Sequence, residues 1–352
     1  MKKILFLIIN SFVYQIDPIL EYIDKETYDI IEPNQINLKK KDLVDSYACA
    51  VSVHSVLKSV SDIFEDFKSA GKPTILIQDG IIEYRHLLAT RQKSLKNPIT
   101  HVPRYMPIYS DYFFAFSNIS KRILNNLGFD NEKILITGCA RFDNIFSNFS
   151  KSRRAKRFLS KINKIGIATS NTPGYSDEEN IKTCELILKL YSNLTNLNFK
   201  SNDISFRIGK GLTKWIEKYI YECEVKDKPL LSSIKCLKEI IYTATNQEQN
   251  LQDFLNDCTI LFTTPSTISL EAMATGIPVV HLIINKEPVI QKSLWSLGVN
   301  SDIRDFYDSL FKRDFLTNSL QEVILEDSIL TIDNASPLIA KNILQISNKE
   351  IK

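Results

Sequence analysis

Three polar clusters, each following directly on an apolar run, hold the residues of this 352-residue chain best suited to chemistry. The first is IQDGIIEYRH, residues 77–86. Gln78 and Asp79 stand at the tip of an apolar run, and Gly80 permits a sharp turn or the close approach of a ligand. Glu83, Arg85 and His86 follow within two turns. A carboxylate at such a tip can act as general base on an incoming hydroxyl once its surroundings tune its pKa. Asp79 is therefore the candidate base, with Glu83 and His86 beside it as further catalytic candidates. A plain turn at Asp79-Gly80, with Glu83 paired to Arg85 on a solvated surface, fits the same residues.

The second cluster is ITGCARFDNI, residues 136–145, where Arg141 and Asp143 flank Phe142. These two charges suit either a clamp on the chain where it leaves a first domain or the floor of a cleft at a hinge. The third lies in the second half of the chain. KIGIATSNTPG places Thr169, Ser170 and Asn171 after one apolar run, and ISFRIGKGLTKW places Arg207 and Lys210 after another. FTTPSTISLEAMATGIPVV, residues 262–280, carries Thr264, Ser266 and Thr267 into a helix-like stretch that Gly276 and Pro278 close. Gly209–Gly211 is too short for a Walker loop, which needs GxxxxGK[ST]. Hydroxyls and a lysine at neighbouring strand ends nonetheless suit a phosphate seated at a helix N-terminus, with its open N–H groups and partial positive charge. Ser266 or Thr267 capping its own helix is compatible with that use.

The elements that must position these residues alternate between strand and helix. Strands are expected at residues 4–9, 28–31, 48–53, 74–78, 113–116 and 133–137, then at 164–168, 204–208, 240–242, 259–262 and 279–282. Helices are expected at 56–70, 120–127, 180–194, 268–275 and 337–347. Strands reading as continuous apolar runs belong to parallel sheets covered on both faces. The expected fold class is α/β, with two Rossmann-like doubly wound domains facing a cleft, and ligands beyond the carboxyl ends of the strands. Residues 1–150 form the first domain with the candidate base, and 151–163, serine-rich and basic, form a linker. Residues 164–336 form the second domain, and 337–352 a closing helix.

The totals agree with such a chain and exclude several others. A length of 352 residues suits two domains, and 44% hydrophobic with 24% charged residues is ordinary for a globular protein. The charge of +3, from 44 basic and 41 acidic residues, argues against a dedicated nucleic-acid binder. Six scattered cysteines without a CxxC pair offer neither a zinc site nor a disulfide framework, so buried thiols are expected. MKKILFLIIN has too short an apolar run for a signal peptide and is read as the first strand. No window approaches the length of a spanning helix, which points to a soluble cytoplasmic protein.

TPSTISLEAMATGIPVV resembles the donor-nucleotide segment of GT-B glycosyltransferases. In that family the hydroxyls and helix N-terminus hold the donor phosphate and a glutamate, matching Glu271, lies near the ribose. ITGCARFDNI looks like the segment ending the first domain of CDP-glycerol glycerophosphotransferase-like enzymes. IQDG resembles the motif of bacterial capsule Kdo transferases in which the aspartate, here Asp79, is the proposed base. These relatives carry a His-Pro after the strand matching 204–208, where this chain has Gly209-Lys210, with Lys210 available as a substitute cation. The resemblance implies an inverting, metal-independent GT-B glycosyltransferase of bacterial surface polysaccharide (capsule, lipopolysaccharide or O-antigen). Its donor would be a CMP-linked sugar of the Kdo or sialic-acid type, with no cofactor and no metal. Its partners would be that nucleotide sugar and a glycan or lipid-linked acceptor, with peripheral contact to the cytoplasmic face of the inner membrane and no nucleic acid. Two other functions share these motifs: a CDP-polyol phosphotransferase using His86 or His101, and a non-catalytic nucleotide-sugar-binding subunit.

Overall fold

A computed structural model describes residues 2–35, 40–54, 57–83, 108–174, 176–226, 231–243, 249–284 and 289–348. The chain divides into two compact units. One comprises residues 1–148 together with 326–352, and the other residues 149–325.

The first unit is built on six parallel strands: β1 (Lys3–Leu7), β2 (Tyr28–Ile31), β3 (Tyr47–Ser52), β4 (Thr74–Ile77), β5 (Tyr112–Ala115) and β6 (Ile134–Ile136). Their order across the sheet is β2-β1-β3-β4-β5-β6, and every neighbouring pair is parallel. Chain order therefore reverses between β1 and β3, which makes their carboxyl ends the topological switch point. β3 and β4 are buried along almost their whole length because helices cover both faces. The Lys58–Ser69 helix shows how the sequence arranges this. Val60, Ile63, Phe64 and Phe67 recur at helical spacing and are all buried. The closing helix, Ala335–Ser347, contributes Ile339, Ala340, Ile343 and Ile346 to the core of this first unit, beside Ile4, Phe6 and Val51.

The second unit repeats the plan with five parallel strands: β7 (Ile165–Ala168), β8 (Ile204–Arg207), β9 (Ile260–Thr263), β10 (Val279–Ile283) and β11 (Trp295–Gly298). Their order is β11-β10-β9-β7-β8, so the switch point falls between β7 and β9. Two doubly wound parallel α/β units are the architecture expected from the sequence.

Local differences have physical causes. Residues 240–242, expected as a strand, lie in the Ser232–Thr243 helix, where Ile234, Leu237 and Ile241 are buried at spacings of three and four. The basic stretch expected to be a linker contains the Lys151–Phe158 helix and belongs to the second unit. Arg154 anchors it there by a buried, bidentate ion pair with Glu322 and a bond from its guanidinium to the Phe149 carbonyl. β11 was not foreseen, since WSLG is short and interrupted by Ser296 and Gly298.

Candidate functional site

At the switch point of the second unit, three loops leave adjacent strands and are stitched together by side chains. Ser170 N–H donates to Thr264 Oγ1 at 2.7 Å, joining the ends of β7 and β9. Gly209 N–H donates to Thr169 Oγ1 at 2.8 Å and Gly211 N–H to Asn171 Oδ1 at 3.0 Å, joining β7 to the loop after β8. Both glycines are required by proximity. A Cβ on Gly209 would stand 2.2 Å from the Ser170 carbonyl oxygen, and one on Gly211 2.0 Å from that of Asn171. Thr169, Asn171 and Thr264, expected as donor contacts, thus accept backbone N–H groups and hold the cluster in shape. Arg207 donates to the Gln249 carbonyl at 2.6 Å and braces a neighbouring loop.

The Thr267–Ala274 helix begins at this cluster. Ser266 occupies its N-cap position in extended backbone, yet its side chain makes no capping bond. Its Oγ is buried and has no hydrogen-bond partner among the described residues. Ser269 instead turns back, donating both its N–H and its hydroxyl to the Ser266 carbonyl at 3.0 and 2.6 Å. The cap expected of Ser266 is therefore not made, and the N–H groups of Thr267 and Ile268 have no acceptor among the described residues. At its other end the helix stops as expected. Gly276 has φ of +83°, and Ile277 N–H and Gly276 N–H close onto the carbonyls of Ala272 and Met273. Glu271 is buried one turn into this helix. Lys210, the first residue of the Lys210–Val225 helix that follows β8, is exposed.

In the first unit, Gln78, Asp79 and Arg141 line one small pocket at the carboxyl ends of the strands, with Val53, Phe116 and Cys139. Gln78 is a brace there: its Oε1 accepts Phe116 N–H at 2.9 Å and its Nε2 donates to the Gly80 carbonyl at 2.7 Å. Asp143, which suited either a clamp or the floor of a cleft, has a structural partner. Its two carboxylate oxygens accept the N–H groups of Ala335 and Ser336, each at 2.9 Å, and so cap the closing helix. Glu83 is 4% exposed, so the solvated pairing with Arg85 does not describe it. His86, Arg85 and His101 lie outside the described residues.

Sequence reasoning passed over His54, which follows β3 directly and meets the same criterion that singled out Asp79, a polar residue at a strand's carboxyl end. Its Nε2 accepts Ile9 N–H at 3.0 Å, a bond across the switch point between β1 and β3, so the neutral ring carries its proton on Nδ1. Burial holds its pKa below the ordinary histidine value, while the negative charge of Asp79 pulls it back upward. His281 in β10 was also missed, because it sits inside the apolar run VVHLI. It is fully buried and its pKa is lowered to about 3, mainly by desolvation with Lys292 adding to the shift. Among the described residues no group of three or more His, Cys, Asp or Glu is placed to hold a metal ion, and no helix is long and apolar enough to cross a membrane.

No protein-family model matches the chain, and no curated protein matches it. Solved structures do. The UDP-GlcNAc 2-epimerase of Neisseria meningitidis bound to UDP-GlcNAc is 15% identical, with 98% of this chain and 100% of that one covered and a TM-score of 0.53. The Methanocaldococcus jannaschii UDP-GlcNAc 2-epimerase in complex with UDP-GlcNAc and UDP is 13% identical over 98% and 100% of the two chains, with a TM-score of 0.57. Anabaena HepE in complex with UDP-glucose is 12% identical over 98% and 100%, with a TM-score of 0.52. At these identities the likeness establishes the fold, two parallel-sheet Rossmann-like units of the GT-B-like kind. It carries that part of the resemblance read from the sequence, and not the specificity for CMP-linked sugars.

Proposed function

We propose that this chain is an enzyme acting on a nucleotide-activated sugar, and that the nucleotide's phosphate binds at the switch point of the second unit. The observation that carries the proposal is the head of the Thr267–Ala274 helix. There a buried serine hydroxyl and two first-turn N–H groups have no partner among the described residues, beside the end of β7. Phosphate oxygens supply the acceptors that these donors require, and the helix end adds a favourable electrostatic field. Lys210, at the start of the helix that follows β8, contributes a cation. The solved structures similar in fold that carry UDP-GlcNAc, UDP or UDP-glucose support the same class of ligand.

Within that class we infer glycosyl transfer in bacterial surface-polysaccharide synthesis, from a CMP-linked sugar of the Kdo or sialic-acid type. Asp79 takes the proton of the acceptor hydroxyl as it attacks the anomeric carbon, with inversion, and Arg141 lines the same pocket. Ser266, the helix N-terminus and Lys210 stabilise the charge that develops on the leaving phosphate, so the scheme calls on no metal. Support comes from the IQDG and TPSTISLEA segments and from the shared pocket of Asp79 and Arg141. A second reading, epimerisation of a UDP-linked sugar, is favoured by the epimerases similar in fold.

Thermal shift with CMP, CDP, UDP and GDP tests the class first. Stabilisation by one of them that is lost in Ser266→Val is expected, and no response to any nucleotide refutes the proposal. Preference for CMP, with CMP released from a CMP-sugar in the presence of acceptor and lost in Asp79→Asn, supports transfer. Preference for UDP, with a 2-epimer appearing in UDP-GlcNAc without acceptor, overturns transfer in favour of epimerisation.

A further inference from the structure

The turn that follows β1 carries aromatic surface that the core of the first unit does not use. Residues Asn10–Gln15 wind into one short helical turn at the carboxyl end of β1, on the switch point. Phe12 and Val13 pack against the core. Tyr14 instead stacks on Phe12, with ring centroids 6.4 Å apart, and remains 54% exposed. Gln15 donates through Nε2 to the Tyr14 hydroxyl at 3.3 Å and lines the pocket that holds Asp79. Phe12 also meets the ring of His54 edge to face, with centroids 5.1 Å apart and planes at 86°. A single exposed tyrosine needs no explanation. Here, however, one connected cluster runs from the Asp79 pocket through Gln15, Tyr14 and Phe12 to His54.

His54 is the polar member of this cluster, and its state is fixed. Its Nε2 accepts Ile9 N–H, and its backbone N–H donates to Ser52 Oγ at 3.0 Å, which in turn donates to the Leu7 carbonyl at 2.8 Å. With Nε2 occupied as an acceptor, the ring is neutral and carries its proton on Nδ1. That Nδ1–H has no acceptor among the described residues. Val53, the residue before His54, lines the same pocket as Asp79, and the charge of Asp79 is felt at the His54 ring. A neutral donor on a rigid support suits an uncharged hydroxyl, and an aromatic ring beside it suits the C–H face of a sugar. Resting on the reading of Asp79 as the base, we propose that the Phe12–Gln15 turn and His54 form the subsite for an uncharged acceptor sugar. Tyr14 stacks on the sugar ring, and His54 Nδ1–H donates to one hydroxyl so that another is presented to Asp79. His54 binds substrate in this scheme and shuttles no proton, because protonation at Nε2 would break the bond to Ile9.

Saturation-transfer NMR of the full chain with the methyl glycosides of glucose, galactose and N-acetylglucosamine tests it. Binding of at least one is expected, weakened on the order of ten-fold in Tyr14→Ala and kept in Tyr14→Phe. Two substitutions separate donor from brace at His54. In His54→Gln the amide offers an acceptor near the Nε2 position and lacks the Nδ1 donor, whereas in His54→Asn it offers the donor and lacks the acceptor. His54→Gln is therefore expected to keep its melting temperature and lose about five-fold in glycoside affinity. His54→Asn should melt lower and keep its affinity. The subsite is overturned if none of the glycosides binds the wild type, or if Tyr14→Ala binds them as the wild type does. It is also overturned if affinity follows the bond to Ile9, falling in His54→Asn and not in His54→Gln. Turnover in Asp79→Asn judges the base separately. Full turnover there removes the base, while the glycoside measurements decide the sugar contacts of Tyr14 and His54 on their own.

Discussion

Ser170 and Thr264 are joined across the switch point of the second sheet by a 2.7 Å hydrogen bond from backbone N–H to Oγ1. Its counterpart in the first sheet is the bond from Ile9 N–H to His54 Nε2. In both units a side chain from one strand end satisfies a backbone group that the reversal of chain order leaves without a sheet partner. In the second unit the same bond fixes Ser170 beside the head of the Thr267–Ala274 helix, where the phosphate is proposed to bind.

Thr264→Val keeps the shape of the side chain and removes the acceptor. Thr264 is 3% exposed, so the Ser170 N–H loses its partner where water is scarce. A loss of about 1–3 kcal/mol in urea unfolding is expected, together with weaker nucleotide binding. Thr264→Ser retains the oxygen and should recover most of the binding.

Gly211→Ala puts a methyl group 2.0 Å from the Asn171 carbonyl oxygen, which is backbone and cannot swing aside. The loop after β7 must then move away from the Lys210–Val225 helix, breaking the bond to Asn171 Oδ1. The expected cost is about 1–3 kcal/mol in stability. Calorimetric titration should show nucleotide affinity falling further than in Thr213→Ala, whose hydroxyl donates to the Lys210 carbonyl of its own helix.

Asp143→Ala uncaps the closing helix. Ala335 and Ser336 lose both acceptors at once, and the helix end loses a favourable negative charge. Denaturant unfolding should show a loss of about 1–2 kcal/mol. Nucleotide affinity should not change, because the cap belongs to the first unit. A change in affinity without a change in stability would favour the cleft-floor role that the sequence left open for Asp143.

His281 links stability to pH. Its pKa is near 3 in the folded chain and near 6.5 when exposed by unfolding. Above about pH 6.5 the ring is neutral in both states and contributes no pH dependence. As pH falls from there toward 3, only the unfolded chain takes up the proton, so stability declines by up to about 1.4 kcal/mol per pH unit. Stability curves measured from pH 7 to pH 5 should therefore be steeper for the wild type than for His281→Leu. Parallel curves would mean that the buried ring is already protonated or reaches water.

Much of the candidate site was legible because it lies where alternation of apolar runs and helices forces it to lie. Asp79, Ser170, Lys210 and Ser266 were found by one criterion, polarity at the end of an apolar run, and each stands beyond the carboxyl end of a parallel strand. His54 satisfied that criterion and was passed over, while His281 failed it by sitting within its strand. The division of labour inside the clusters was not legible. Thr169, Asn171 and Thr264 are small polar residues like Ser170 and Ser266, and only the partners of each oxygen separate those that hold the loops together from Ser266, whose hydroxyl is proposed to meet a ligand. Residues 240–242 show the limit of short windows, since three apolar residues do not distinguish a strand from one face of a helix.

The sequence by itself determined two doubly wound parallel units, the helix that Gly276 stops, and the polar strand ends on which the proposed function rests. These are properties of local periodicity and turn chemistry, carried by residues close together in the chain. The tertiary structure decided everything that joins distant residues. It made Asp143 a cap 192 positions from the helix it serves, and it placed within the basic stretch a helix, Lys151–Phe158, pinned by Glu322, 168 positions from Arg154. It also left Phe315, Leu316, Leu320 and Val323 exposed on the Phe315–Ser328 helix. The physical reason is the same in each case: a charge, a hydroxyl or a leucine takes its role from whichever partner packing brings to it, and sequence distance carries no record of that partner.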